Sequence, residues 1–238
     1  MAGSDSGSCG NAEKLNSTQS SDRLREKVRA NPIVHVYVAR FPFPVEEETV
    51  FPSARAEEIA RCSNADVRRE KYFVWKLLES ALAGSFGLKI QALDIKRAEN
   101  GKWGCSACCF SLSHSGNFVA VAVSEKPVGV DIEKIDEAHF TDALAEKITT
   151  VREREEYRSA AAPVAMLNAL WTKKEAVFKL LGGKAFLPKN IEVSEYGTVT
   201  KMIQSDDGRY FVTVASENAA QTDFRSMGGL EFADFGFQ

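Results

Sequence analysis

No stretch of this chain approaches the roughly 18 uninterrupted apolar residues of a membrane-crossing helix. The first residues also lack the apolar core of a secretion signal, so the expected address is the cytoplasm, with no membrane partner. An excess of basic charge is missing too: 30 Lys and Arg stand against 33 Asp and Glu, a formal net charge of −3. Nucleic-acid binders carry a basic face to meet phosphates, so no nucleic-acid partner is expected. Cysteine is sparse and odd in number, five in 238 residues, which excludes a disulfide framework. Cys105 and Cys108 have CxxC spacing with Cys109 beside them, but a zinc or redox site needs a second pair or a thioredoxin-like context. Cys9 lies in a polar tail and Cys62 stands alone, so these residues read as free thiols and small packing groups. The phosphate-cradling pattern GxxxxGK[ST] is absent as well, which excludes a P-loop enzyme.

What is present is an ordinary globular composition, 44% hydrophobic and 26% charged, with enough apolar residues for a core. Residues 1 to 30 are the exception. Rich in Ser, Gly, Asn and charge, they cannot bury enough surface to offset their ordering entropy, and a disordered tail is expected there. Order begins at the β-branched run from Ile33 to Val38. A short helix with Ser53 as N-cap should run to Cys62, and a longer one, capped by Asp66, to Gly84 or Gly87. Strands at Phe110 to Leu112 and Phe118 to Val123 flank a predicted turn from Ser113 to Asn117. From Val128 the pattern recurs: a strand to Glu133, short helices near Thr141 to Thr149 and Arg152 to Ser159, then a long helix from Pro163 to Leu181. Strands follow near Ile191 to Val193, Val199 to Ile203 and Tyr210 to Ala215. The expected fold is α/β (α+β): two similar halves, 31–127 and 128–238, related by a pseudo-twofold axis, each a small, mostly antiparallel sheet on a long helix.

Two constellations carry chemistry. In Pro127-Val128-Gly129-Val130-Asp131-Ile132-Glu133 the two-residue period of a strand sends Val128, Val130 and Ile132 to a core and Asp131 and Glu133 to the other face. Two carboxylates at this spacing suit a hard cation such as Mg²⁺, which keeps water and phosphate oxygens as its other ligands; taken alone, they are equally a solvated acidic face. In the segment Trp171 to Gly182, Leu167, Leu170, Trp171, Val177, Phe178 and Leu181 form one apolar arc at 100° per residue. Lys174 falls inside that arc, where an unpaired ammonium is costly, so it must snorkel out or meet an anion. Glu175 and Lys179, at i and i+4, lie on a polar strip beside it. By themselves they make a surface pair worth about 0.3–0.5 kcal/mol.

Taken together, GVDIE and WTKKEAVFKLLG about forty residues later resemble the signature of the 4′-phosphopantetheinyl transferases. Phe110-Ser111-Leu112-Ser113-His114-Ser115-Gly116 is similar to the FxxSHSG segment of the larger, surfactin-type branch, a monomeric pseudodimer. Gly101-Lys102 matches the start of that branch's GKP element, with Trp103 in place of proline. The resemblance covers roughly residues 33 to 215.

It implies transfer of the phosphopantetheine arm of coenzyme A to a serine of an apo carrier protein, with the site between the halves. Asp131, Glu133 and Glu175 would be the Mg²⁺ ligands, with Mn²⁺ as an alternative ion. Glu175 would be the base and Lys179 would neutralise phosphate charge. Ser113, His114, Lys102, Lys174 and one of Arg68 or Arg69 (Arg69 is taken here) would serve coenzyme A. The carrier, acidic around its serine, would dock on Gly182 to Lys189. Two other classes remain: a coenzyme A- or carrier-binding module without turnover, and another Mg²⁺-dependent diphosphate-cleaving transferase.

Overall fold

Along the first strand the side chains sort by parity, and that sorting organises the whole molecule. In β1 (Ile33–Arg40), Val34, Val36 and Val38 face one way, while Tyr37 and Ala39 face the other. The first set joins a core made with even-numbered residues of β6 and β8; the second packs on a long helix. The structure is a computed structural model describing residues 32–44 and 51–235. The expected disordered tail lies outside the described residues.

In chain order β1 is followed by α1 (Ser53–Arg61), α2 (Ala65–Phe86), β2 (Lys96–Arg97), β3 (Trp103–Gly104), β4 (Cys109–Ser115), β5 (Phe118–Ser124) and β6 (Val128–Lys134). Then come α3 (Asp142–Ile148), α4 (Val151–Ser159), α5 (Pro163–Leu181), β7 (Gly197–Ser205), β8 (Gly208–Ser216), β9 (Gln221–Met227) and β10 (Phe232–Asp234). One sheet has the order β4-β5-β1-β9 and a second the order β10-β7-β8-β6; β2 and β3 form a small ribbon. The fold is mixed α/β, as expected. The order strand, long helix, hairpin occurs as β1, α2, β4-β5 and again as β6, α5, β7-β8, and in both sheets the third strand sits between the other two. The added edge strands differ. β9 runs parallel to β1, pairing Ile33 with Gln221, although it follows the second hairpin in the chain; β10 is antiparallel to β7.

The layers are helix, sheet, sheet, helix. Leu77, Leu78, Ala81 and Leu82 of α2 pack on Val119, Val121 and Val123 of β5. Val128, Val130 and Ile132 of β6 meet Phe118, Ala120 and Ala122 of β5 between the sheets. Each such Val, Leu, Ile or Phe side chain, removed from water, contributes roughly 1.5–3 kcal/mol. Among the described residues no helix is long and apolar enough to cross a membrane.

Several local expectations need correction. Ser53 is not the cap of α1: Pro52 holds that position and makes no side-chain bond. Asn64, not Asp66, caps α2, its side chain accepting the N–H groups of Asp66 and Val67 at 2.9 and 3.2 Å. The predicted turn from Ser113 shrinks to Gly116-Asn117, because β4 continues through Ser115. No strand forms at Ile191 to Val193. Short 3₁₀ turns at Pro188–Asn190 and Val193–Glu195 replace it, and the carbonyls of Pro188 and Ile191 accept from Lys174 at 2.9 and 2.7 Å.

Candidate active site

The site grows from two edge strands that belong to different sheets. β6 is hydrogen-bonded to β8 on one side only, so its other edge carries N–H groups that need acceptors. β4 supplies them with side chains. The hydroxyls of Ser111, Ser113 and Ser115 accept from the N–H of Val130, Ile132 and Lys134 at 3.0, 3.3 and 3.1 Å. The parity that points the three serines at β6 leaves His114 on the opposite side of β4, where its Nδ1 lies 3.2 Å from Glu70 of α2.

On β6 the same parity puts Gly129, Asp131 and Glu133 toward α5. A Cβ on Gly129 would stand 1.9 Å from the Ala176 carbonyl oxygen, so only glycine lets the helix come this close. That approach sets Glu175 and Lys179 over the two β6 acids. Lys179 Nζ donates to Asp131 Oδ1 at 2.7 Å and to Ser113 Oγ at 2.9 Å; Ser113 in turn donates to Asp131 Oδ1 at 2.8 Å. Ser115 donates to Glu133 Oε1 at 3.0 Å.

The electrostatics are those of acids short of positive charge. Burial pushes the Glu133 carboxyl up to about 7, and the Asp131 carboxylate adds to the push; the Ser115 hydrogen bond opposes it, Glu175 reinforces it and Lys179 offsets part. Glu175 is raised by burial and then by Asp131, again partly offset by Lys179. Asp131 is 4% exposed, and its Oδ2 is buried without a hydrogen-bond partner. A buried, unpartnered carboxylate oxygen beside two destabilised carboxylates is the donor chemistry a hard divalent cation satisfies. These residues therefore fit such an ion. Among the described residues no three His, Cys, Asp or Glu side chains already converge as a metal cluster, and the Lys179 ammonium takes the place of a cation on Asp131.

The other expected residues have distinct positions. Lys102 reaches across to the C-terminus of α5, donating to the Lys179 carbonyl at 2.6 Å and to that of Val128 at 3.4 Å. Burial lowers its pKa, offset in part by the Cys109 thiol. A cavity of about 230 Å³ opens here, lined by Lys102, Trp103, Leu112, Phe178, Lys179 and Gly183 among others. His114 is partly exposed beside Glu70; burial lowers its pKa, Glu70 works against that, and Lys179 adds to it. Ser113 is turned inward, its one proton committed to Asp131. Arg69 lies over the Phe41 ring and 3.9 Å from Asp66, whereas Arg68 bonds the Cys62 carbonyl.

Lys174 requires a correction. It is fully buried, 2.9 Å from Glu153 of α4, and donates also to the Pro188 and Ile191 carbonyls. An ammonium has three donors, and all three are used inside the protein. The anion it meets in this structure is the protein's own, which leaves no Lys174 donor for coenzyme A. Sequence reasoning passed over Ser111, Ser115, Glu70 and Glu153. For the serines a signal existed, a hydroxyl at every second position of a strand; for Glu70 and Glu153 the chain offers none.

Comparison with known proteins finds sequence similarity across the strand and helix that carry this geometry. Residues 127–224 match the sequence model of the 4′-phosphopantetheinyl transferase superfamily. The chain is 41% identical over 75 residues to the 4′-phosphopantetheinyl transferase psf-1 of Bacillus pumilus, covering 31% of each chain. It is 36% identical over 83 residues to 4′-phosphopantetheinyl transferase gsp of Aneurinibacillus migulanus, 34% of each. A 4′-phosphopantetheinyl transferase of Bacillus subtilis aligns more widely, 27% identical over 165 residues, 66% of this chain and 72% of that one. The chain thus spans about a third of the length of the first two relatives. Over residues 127–224, which hold Asp131, Glu133, Glu175 and Lys179, the chain is thus similar to the 4′-phosphopantetheinyl transferase superfamily.

Proposed function

We propose that this protein transfers 4′-phosphopantetheine from coenzyme A to a serine hydroxyl of an apo carrier protein, giving the holo carrier and 3′,5′-ADP. The reading places it in the cytoplasm, acting as a monomer with Mg²⁺ or Mn²⁺. The observation that carries it is the meeting of Asp131 and Glu133 on one strand face with Glu175 and Lys179, one helical turn apart on α5. All four come from a single chain.

In this reading the coenzyme A pyrophosphate lies against Lys179, whose ammonium neutralises phosphate charge, with Lys102 and His114 on either side. Asp131, Glu133 and Glu175 would hold Mg²⁺, which when bound supplies charge neutralisation for the pyrophosphate and the leaving group. The carrier serine oxygen attacks the β-phosphorus, the bond from that phosphorus to the bridging oxygen breaks, and 3′,5′-ADP leaves with the electron pair. Glu175, kept basic by its raised proton affinity, takes the serine proton. Most of the acceleration is positioning and charge neutralisation, as in other phosphoryl transfers.

The carrier would dock on Gly182 to Lys189, where Lys184 is exposed and Leu181 and Leu187 are more than half exposed beside it. That mixture suits an acidic, partly apolar partner. The test is to incubate the protein with coenzyme A, Mg²⁺ and an apo carrier and weigh the carrier by mass spectrometry. A gain of one phosphopantetheine supports the reading. Coenzyme A bound with the carrier mass unchanged would indicate a binding module, and a different added group another transferase.

A further inference from the structure

The serines of β4 do more than join the sheets. Each of the three accepts one N–H from β6, and two of them have a β6 carboxylate within reach one residue earlier: Asp131 for Ser113 and Glu133 for Ser115. At the first rung the corresponding residue is Gly129, which has no side chain to receive a bond and leaves its space to α5. A hydroxyl has one proton. By accepting from Lys134, Ser115 is left with its proton aimed at Glu133 Oε1, 3.0 Å away.

We propose that Ser115 is a positioning residue for the transfer reaction, holding the Glu133 side chain in the orientation in which it meets the divalent ion. The inference rests on the transferase reading and deepens it. The reason is geometric. Glu133 has three side-chain torsions to fix, and Lys179 bonds Asp131 rather than Glu133. Among the described residues, Ser115 is the hydrogen-bond donor that the structure gives Glu133. A ligand whose orientation depends on a partner outside the metal's reach loses affinity when that partner is removed, typically tenfold to a hundredfold.

The fold supplies its own control. Ser111→Ala and Ser115→Ala each remove one acceptor from a β6 N–H, buried at Val130 and half-buried at Lys134, but only the second also removes a bond to a carboxylate. Mn²⁺ affinity is read from the free-ion electron paramagnetic resonance signal, with coenzyme A saturating and no carrier present. Ser115→Ala should weaken Mn²⁺ binding about tenfold or more, Ser115→Thr should restore it, and Ser111→Ala should stay within about twofold of the parent, while the two alanine variants lose similar melting temperature. Equal Mn²⁺ affinity in Ser111→Ala and Ser115→Ala would overturn the proposal and leave the ladder structural. Should Ser115→Ala melt below the assay temperature, Ser115→Cys, a weaker donor of similar size, takes its place; an affinity equal to the parent's would then overturn the proposal. Asp131→Asn separates the two levels. If it binds Mn²⁺ like the parent, the metal reading itself falls; if it loses Mn²⁺ while Ser115→Ala does not, only the positioning role falls.

Discussion

Gly129 lies so close to Ala176 that any side chain would have to displace backbone: its Cβ would stand 1.9 Å from the Ala176 carbonyl oxygen and 2.6 Å from the Leu180 nitrogen. The helix pressed against Gly129 carries Glu175 and Lys179 one turn apart on the strip beside the contact. Position 129 therefore sets how far both residues reach over Asp131.

Gly129→Ala should accordingly harm both folding and function. Overpacking typically costs about 1–3 kcal/mol, and the upper end is expected because the obstacle is backbone. Urea denaturation should show that loss. Transfer activity in the remaining folded protein should fall by about tenfold or more, since misplacement near 1 Å is expensive in such reactions. A variant with parental stability and turnover would show that α5 can slide without disturbing the site.

Lys174 and Glu153 make a different kind of prediction. Their buried pair joins α4 to α5, with Glu153 also accepting the Thr150 N–H in a capping box. Lys174→Met leaves Glu153 with an uncompensated charge and should cost about 3–5 kcal/mol. Adding Glu153→Gln should recover a large part of that, because the stranded charge is removed. Coenzyme A affinity, measured by calorimetry well below the melting temperature, should match the parent in the double variant. Reduced affinity at unchanged stability would return Lys174 to the ligand.

The contrast between Lys174 and Asp131 shows what the sequence makes legible. Asp131 and Glu133 are placed by the two-residue period of one strand, and Glu175 and Lys179 by the turn of one helix. Both are local rules, so the facing of each pair was readable from the chain, while the meeting of the two pairs was implied only by the family resemblance. Lys174 was readable only as a problem, a charge within an apolar arc, because its solution lies on another helix. The segment from Ser113 to Asn117 has the composition of a turn, yet Ser113, His114 and Ser115 are strand residues. Their conformation is settled by N–H groups of β6 nineteen residues later, which need those hydroxyls. β9 was missed for a similar reason: Gln221 to Met227 is largely polar, and its pairing with β1 is decided by the open edge of that strand.

Carrier docking on Gly182 to Lys189, if driven by charge, should weaken as ionic strength rises, mainly through slower association. Surface plasmon resonance with an immobilised apo carrier would give both rate constants. Lys184, exposed and only 3.8 Å from the equally exposed Glu99, is free enough to contribute, and Lys184→Glu should slow association further. Rates that stay flat from low to high salt would shift the weight to Leu181 and Leu187 and make the interface predominantly apolar.

Glu175 provides the most discriminating test of the chemistry. Spaced four residues from Lys179, it could have been an ordinary surface partner of that lysine, and its loss would then cost a few tenths of a kcal/mol. The structure gives Lys179 other partners, Asp131 and Ser113, and leaves Glu175 with a proton affinity raised by burial and by Asp131. Glu175→Gln keeps the volume and the hydrogen-bonding capacity and removes the charge and the ability to take a proton. Turnover should fall about a hundredfold or more, the size of a lost general base, while the melting temperature stays near the parent's. Coenzyme A binding should suffer much less, since Lys179, Lys102, Asp131 and Glu133 are untouched. Both quantities are to be measured on one purified sample, by carrier mass spectrometry and by calorimetry. Turnover within a few fold of the parent would remove Glu175 from the mechanism. Coenzyme A binding lost in step with turnover would make it chiefly a metal ligand, with water or another group taking the serine proton.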